Sequence, residues 1–150
     1  MRPPSGDKAR VASRLGADYL LRSLQTLAEL ADGELLTAVI SLAIVQANIG
    51  YIDRGGAGRS FDSSHTVPPD EIRRPVSVLA LSQSLGLPYE TTRRYVAKMV
   101  ASGMCVRVKG GIITPAAVLD TPEHRERLRR NLANLRRLFR DLKAAGVDLD

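Results

Sequence analysis

The sequence predicts a mostly α-helical domain carrying one small β-hairpin. Three features point to it. Apolar residues recur at spacings of three and four along most of the chain, the punctuation Gly86-Leu87-Pro88 hinges two short helices, and β-rich runs flank Lys109-Gly110-Gly111. The hinged pair and the hairpin fall within residues 75–119, and the remaining segments are arranged around them.

Residues 1–6 are rich in Pro and Gly and are expected to be mobile. Asp7 is placed to cap a helix over residues 8–31 with apolar positions Val11, Leu15, Leu20, Leu24, Leu27 and Ala31. Asp32-Gly33 ends it, with Gly33 suited to a left-handed terminus and Asp32 to capping the next element. The second helix is expected from Glu34 to about Ile49. The 18 residues from Leu35 to Ile52 carry no charge, which is at the short limit for a bilayer span. Thr37, Ser41, Gln46 and Asn48 would each need an internal partner in lipid, so a central helix surrounded by protein, with no membrane, is expected instead.

Residues 53–74 contain Gly55, Gly56, Gly58, Ser60, Ser63, Ser64, Pro68 and Pro69, a composition that buries little and reads as a long flexible loop. The run Gly55 to Ser60 lacks both the Lys-Ser/Thr ending and the strand-to-helix setting of a phosphate loop, so no nucleotide site is expected. Arg54, Arg59, Arg73 and Arg74 are then available as backbone contacts to a nucleic acid.

In the hinged pair, Val78, Leu81 and Leu85 form one face, Gly86 suits a left-handed helix end, and Pro88 suits the first turn of a new helix. That second helix turns Thr92, Val96 and Met99 inward with Tyr95 at the edge, and turns Tyr89, Glu90, Arg93, Arg94 and Lys98 outward. Ser102-Gly103 stops it. Met104 to Thr114 then reads as a hairpin bearing Arg107 and Lys109. Thr121-Pro122 opens a last helix that Gly146 closes, with an apolar seam at Leu128, Leu132, Leu135, Phe139 and Leu142. Leu20, Leu24 and Leu27 of the first helix offer a matching seam. So long a final helix would protrude from a small domain, so its seam wants burial against another helix, either within one chain or across the two-fold axis of a homodimer, and the homodimer is the expected arrangement.

The order helix, glycine turn, basic helix, hairpin resembles the winged helix-turn-helix of bacterial transcription regulators, broadly MarR-like or ArsR-like. In that pattern a small residue stands four before the turn glycine, here Ser82 before Gly86, and Thr91 and Thr92 follow in the next helix. Where the pattern has Val or Ile, Thr92 must pack its methyl and bond its hydroxyl to a carbonyl one turn back. The resemblance implies a winged helix-turn-helix with additional N- and C-terminal helices. It implies DNA contact through Tyr89, Glu90, Thr91, Arg93, Arg94 and Lys98, with Arg107 and Lys109 on the wing. It also implies dimerisation through the terminal helices, here Leu20, Leu24, Leu27, Leu128, Leu132, Leu135, Phe139 and Leu142.

A chain of 150 residues with 44% hydrophobic residues is long enough for one domain with a sizeable core, and the lack of tryptophan means aliphatic side chains must build it. The single cysteine, Cys105, forms no internal disulfide, and the N-terminus lacks the pattern of a secretory signal, which fits a cytoplasmic location. His65 and His124 each lie in polar surroundings and read as solvated side chains, so neither metal nor other cofactor is expected.

Charge is unevenly placed. Residues 1–74 hold nine Lys/Arg against nine Asp/Glu, whereas residues 75–118 hold five against Glu90 alone and residues 121–145 hold eight against three. A basic second half is the footprint of a polyanion binder, because each phosphate neutralised releases counterions. No nucleophile elbow, isolated acidic pair or metal spacing is present, so an enzyme is not expected. The function expected is sequence-specific recognition of double-stranded DNA by a transcription regulator. A winged-helix module that binds protein remains the alternative. An RNA-binding module is disfavoured by the scarcity of aromatic stacking residues.

Overall fold

The computed structural model describes residues 6–54 and 61–150. Residues 1–5 of the expected mobile tail, and the stretch Gly55 to Ser60 with Arg59, lie outside the described residues. The described chain is mostly helical: α1 (Ala9–Ala28), α2 (Leu35–Arg54), α3 (Val78–Leu85), α4 (Tyr89–Ala101), α5 (Ala116–Leu119) and α6 (Pro122–Ala144). A two-stranded antiparallel sheet, β1 (Val106–Val108) and β2 (Gly111–Ile113), follows α4 with Arg107 opposite Ile112.

Local chemistry accounts for the boundaries. Asp7 Oδ1 accepts from the Ala9 N–H at 2.9 Å, satisfying one of the free donors at the start of α1. A 3-10 turn over Glu29–Ala31 tightens the end of the helix, and both Asp32 (φ 50°) and Gly33 (φ 85°) are left-handed. Asp32 therefore helps close the first helix, whereas the sequence suggested it would cap the second. Helix α2 runs five residues beyond the expected Ile49, since no proline or glycine-rich break occurs before Gly55.

Helix α2 is long and apolar enough to cross a membrane by length and composition, yet it is the hub of this fold. It packs against α1, α3, α4 and β2, and its Ala38, Ile40, Ile44 and Ile52 are buried. Ile40 and Ile44 meet Leu81 of α3, Val96 and Met99 of α4, Cys105 and Ile112 in one aliphatic core. The Cys105 thiol is inside this core, and burial pushes its pKa up.

Asn48, also on α2, has no solvent exposure. Its amide donates to the carbonyls of Arg74 at 2.7 Å and Ile112 at 3.1 Å, and its side-chain oxygen accepts from the Thr114 N–H at 2.9 Å. The Arg74 N–H in turn donates to the Asn48 carbonyl at 2.9 Å. One residue thus joins the central helix, the segment entering α3, and the outgoing end of the hairpin. Val76 exchanges both backbone hydrogen bonds with Ile112, at 3.0 and 2.9 Å, and so lies alongside β2 opposite β1. That approach requires glycine next door, because Gly111 has φ 145° and a Cβ there would lie 2.6 Å from the Val76 carbonyl carbon.

Part of the long loop is ordered. A 3-10 turn covers Asp70–Ile72, and Asp70 Oδ1 accepts from the Ala116 N–H at 2.7 Å, capping the short helix α5 that the sequence did not signal. The Tyr51 hydroxyl donates to the Ile72 carbonyl. Arg73 corrects one expectation. Its side chain is buried, with Nη2 donating to the Pro68 carbonyl at 2.9 Å and Nε 3.7 Å from Asp70, so it is not available to a nucleic-acid backbone. Arg74 remains exposed, stacked over the Tyr51 ring at 3.6 Å.

Replacing Asn48 by leucine keeps the approximate volume but strands the Arg74 carbonyl and the Thr114 N–H and takes one of two donors from the Ile112 carbonyl. Asn48→Leu is expected to lower unfolding free energy by about 3 kcal/mol or more, measured by urea denaturation. A loss below about 1 kcal/mol would show that the amide does not bind these elements together.

Candidate nucleic-acid interface

The segment α3, turn, α4 is fixed by its own sequence. Ser77 Oγ accepts from the Ala80 N–H at 3.1 Å and caps α3. Gly86, at φ 66°, ends it, with the Gly86 and Leu87 N–H groups returning to the Gln83 and Ser82 carbonyls. Ser82 is 4% exposed and its hydroxyl donates to the Leu79 carbonyl at 2.8 Å, so its polar group is satisfied inside the fold.

Pro88 stands just before α4 rather than inside it, with ψ 139°, because its ring fixes φ at a value that suits either place. Its carbonyl accepts both the Thr92 N–H and the Thr92 hydroxyl at 3.1 Å. Thr92 has no exposure, so its methyl packs and its hydroxyl bonds one turn back, as the sequence suggested. With Val96 and Met99 it forms the buried stripe of α4, and Tyr95 is half-buried at the edge.

The opposite face of α4 is open. Tyr89, Glu90, Arg93, Arg94 and Lys98 are exposed, and Thr91 is half-buried. Glu90 grips Arg93 with both oxygens, at 3.0 Å and 3.2 Å from Nε and 2.9 Å from Nη2. The Arg93 guanidinium holds the Glu90 carboxyl below the usual carboxylate range, chiefly through that hydrogen bond, and Glu90 raises Arg93 in return. Arg94 makes no ion pair among the described residues. Lys98 places its ammonium 5.5 Å from the Tyr95 ring centre.

The hairpin adds two more cations. Arg107 on β1 and Lys109 in the turn are exposed, and all of β1 is exposed while Ile112 and Ile113 of β2 are buried. β2 is therefore the inner strand, flanked by Val76, and β1 is the outer edge. The sequence showed the hairpin but carried no sign of the Val76 pairing, which involves one residue and leaves no periodicity.

The terminal helices pack on each other within the chain, α1 against α6. Tyr19 donates its hydroxyl to Asn131 Oδ1 at 2.8 Å, and Arg130 pairs with Glu29 at 2.6 Å. Of the seam residues, Leu142 is buried and Leu24, Leu27 and Leu135 are half-buried. Leu20, Leu128, Leu132 and Phe139 remain 42–55% exposed after this pairing. Intramolecular packing therefore buries only part of each seam.

His124 is a second correction. It is not a solvated side chain: Thr121 Oγ1 accepts from its N–H at 3.1 Å at the start of α6, and its imidazole Nδ1 is buried without a partner. His65 is exposed, as expected. No group of three potential metal ligands occurs among the described residues. No protein-family model, curated protein or solved structure matches the chain.

Burial, with the Arg127 charge adding to it, lowers the His124 pKa. The unfolded chain then takes up the proton more readily, so stability is complete above the ordinary histidine pKa of about 6.5 and falls as pH drops below it, until the folded imidazole also protonates. His124→Gln is expected to remove this part of the acid destabilisation. Equal pH dependence of both proteins between pH 7 and pH 5, in chemical unfolding, would contradict it.

Proposed function

We propose that the chain is a winged helix-turn-helix protein that binds double-stranded DNA and regulates transcription. On this reading α4 enters the major groove, α3 crosses behind it, and the β1–β2 turn follows the backbone or the minor groove. The observation that carries the proposal is the division of α4 into two faces. Thr92, Val96 and Met99 are locked in the core, while Arg93, Arg94 and Lys98 stand exposed, as do Arg107 and Lys109 of the hairpin segment. A rigid helix with a cationic face is what base recognition needs, because the side chains must meet base edges without first ordering the backbone.

Arg93 and Arg94 have different tasks on this account. Arg93 is paired with Glu90, so the two together carry no net charge, whereas Arg94 is free to form a bidentate pair with guanine or to bind phosphate. Arg107 and Lys109 position the protein more than they specify sequence. A protein-binding winged helix is the second reading, favoured by Leu79 of α3 at 54% exposed and Tyr89 at 47%. Strong salt dependence of binding to random duplex belongs to the first reading only.

The exposed side chains Leu20, Leu128, Leu132 and Phe139 fit a two-fold contact between copies. Burying each is worth about 1.5–3 kcal/mol, and a two-fold dimer would set two recognition helices about 34–36 Å apart and read a pseudo-palindrome.

Selection of bound sequences from random duplexes, followed by fluorescence titration, tests the assignment. Arg94→Ala is expected to cost about 1–3 kcal/mol on the selected site and to relax preference at one position. Unchanged affinity and preference in both Arg93→Ala and Arg94→Ala would remove α4 as the reading helix. For the assembly, sedimentation of Leu132→Glu/Phe139→Glu is expected to give a folded monomer where the parent chain is a dimer. A parent chain that stays monomeric well above micromolar concentration would rule out the palindromic site while leaving DNA binding open.

A further inference from the structure

The C-terminal half of α6 presents a mixed face to solvent. Leu132, Arg136, Phe139, Arg140 and Lys143 are all exposed, and steps of four, three, one and three along the sequence put them on one side of the helix. Leu132 stays 47% and Phe139 54% exposed after α6 has packed on α1. Arg136 and Lys143 form no ion pair within 4.0 Å among the described residues, and Arg137 and Arg140 share one acid, Asp141, at 3.9 and 3.3 Å. The fold adds cations from the other end of the chain. A Cβ on Gly146 would lie 3.9 Å from Lys8 Cε, and Tyr19 is bonded to Asn131, so α1 runs antiparallel to α6 and its first turns lie level with the last turns of α6. Lys8, Arg10 and Arg14 belong to that stretch of α1, and all three are exposed without an ion pair among the described residues. This end of the helix pair therefore carries seven cations against Asp7, Asp141, Asp148 and Asp150.

We propose that this end of the α1–α6 pair docks on the surface of an anionic bilayer. The partner follows from the mixture of side chains. A duplex backbone would pair with the arginines but offers nothing apolar to cover Leu132 and Phe139. The boundary between headgroups and acyl chains takes both kinds, because leucine and phenylalanine enter it while the stems of arginine and lysine run beside them and bring their charges to the phosphates. α6 carries eight Lys/Arg in 23 residues, so it lies along the surface and does not cross it. A bilayer and a second copy of the chain compete for Leu132 and Phe139, so the lipid-bound form is a single chain, and the docking stands whether or not the chain dimerises in solution. Nothing in it rests on DNA binding by α4, and the two assignments fail separately.

Flotation of the full-length protein with vesicles of phosphatidylcholine alone, and of phosphatidylcholine mixed with phosphatidylserine, tests the proposal. The protein is expected to float with the anionic vesicles only and to be released as salt is raised. Arg136→Gln/Arg140→Gln should weaken partitioning about fivefold for each charge lost. Leu132→Ser/Phe139→Ser keeps every charge and is expected to weaken it about tenfold or more, which a purely electrostatic attachment would not show. Arg125→Gln, a change at the other end of α6 where Arg125 pairs with Asp120, should bind as the parent does. If Leu132→Ser/Phe139→Ser fails to fold, the arginine variant and the neutral vesicles decide. No flotation with anionic vesicles, equal flotation with neutral ones, undiminished flotation of either double variant, or an equal loss in Arg125→Gln would overturn the proposal. So would a loss of duplex affinity in Arg136→Gln/Arg140→Gln without vesicle binding by the parent, which would make this face a nucleic-acid contact instead.

Discussion

The fold depends first on a buried amide. Asn48 lies on the most apolar helix of the chain, is fully enclosed, and yet has its side-chain groups paired to Arg74, Ile112 and Thr114. An aliphatic core specifies contact but not register, since neighbouring leucines and isoleucines can replace one another at small cost. An amide with three directed hydrogen bonds specifies one arrangement, because any slip strands polar groups where water cannot reach. The same three bonds fix the strand-like segment at Val76 and the hairpin relative to α2, and α3 begins two residues after Val76. The cationic face of α4 is therefore aimed by a residue far from it in sequence.

A second constraint acts within the helix pair. Thr92 and Ser82 each spend a hydroxyl on a carbonyl one turn back, at Pro88 and Leu79, and so can be buried. The Glu90–Arg93 pair is exposed on both sides, so it contributes little to stability.

Much of this was legible in the sequence because it rests on local chemistry. Gly86, Pro88, Thr121-Pro122 and Gly146 mark their boundaries through backbone geometry that few other residues adopt, and the structure has a helix end or start at each. The stripe Thr92, Val96, Met99 follows from helical period alone. What stayed hidden is long-range. Nothing near Asn48 announces partners 26 to 66 positions away, nothing near Asp70 announces a cap on Ala116, and polar neighbours in sequence made His124 and Arg73 look solvated when packing encloses them. The leucine seams were visible, but a seam does not say whether its mate is in the same chain. α1 and α6 use part of theirs on each other and leave Leu132 and Phe139 outside.

The central claim is that α4 and the hairpin form a nucleic-acid surface, and amide NMR of the chain titrated with a random duplex addresses it most directly. The account predicts shift changes concentrated in Tyr89 to Lys98 and in Arg107 to Lys109, shrinking steeply as salt is raised from about 50 to 200 mM. Shift changes confined to α1 and α6, or none at low salt, would contradict it.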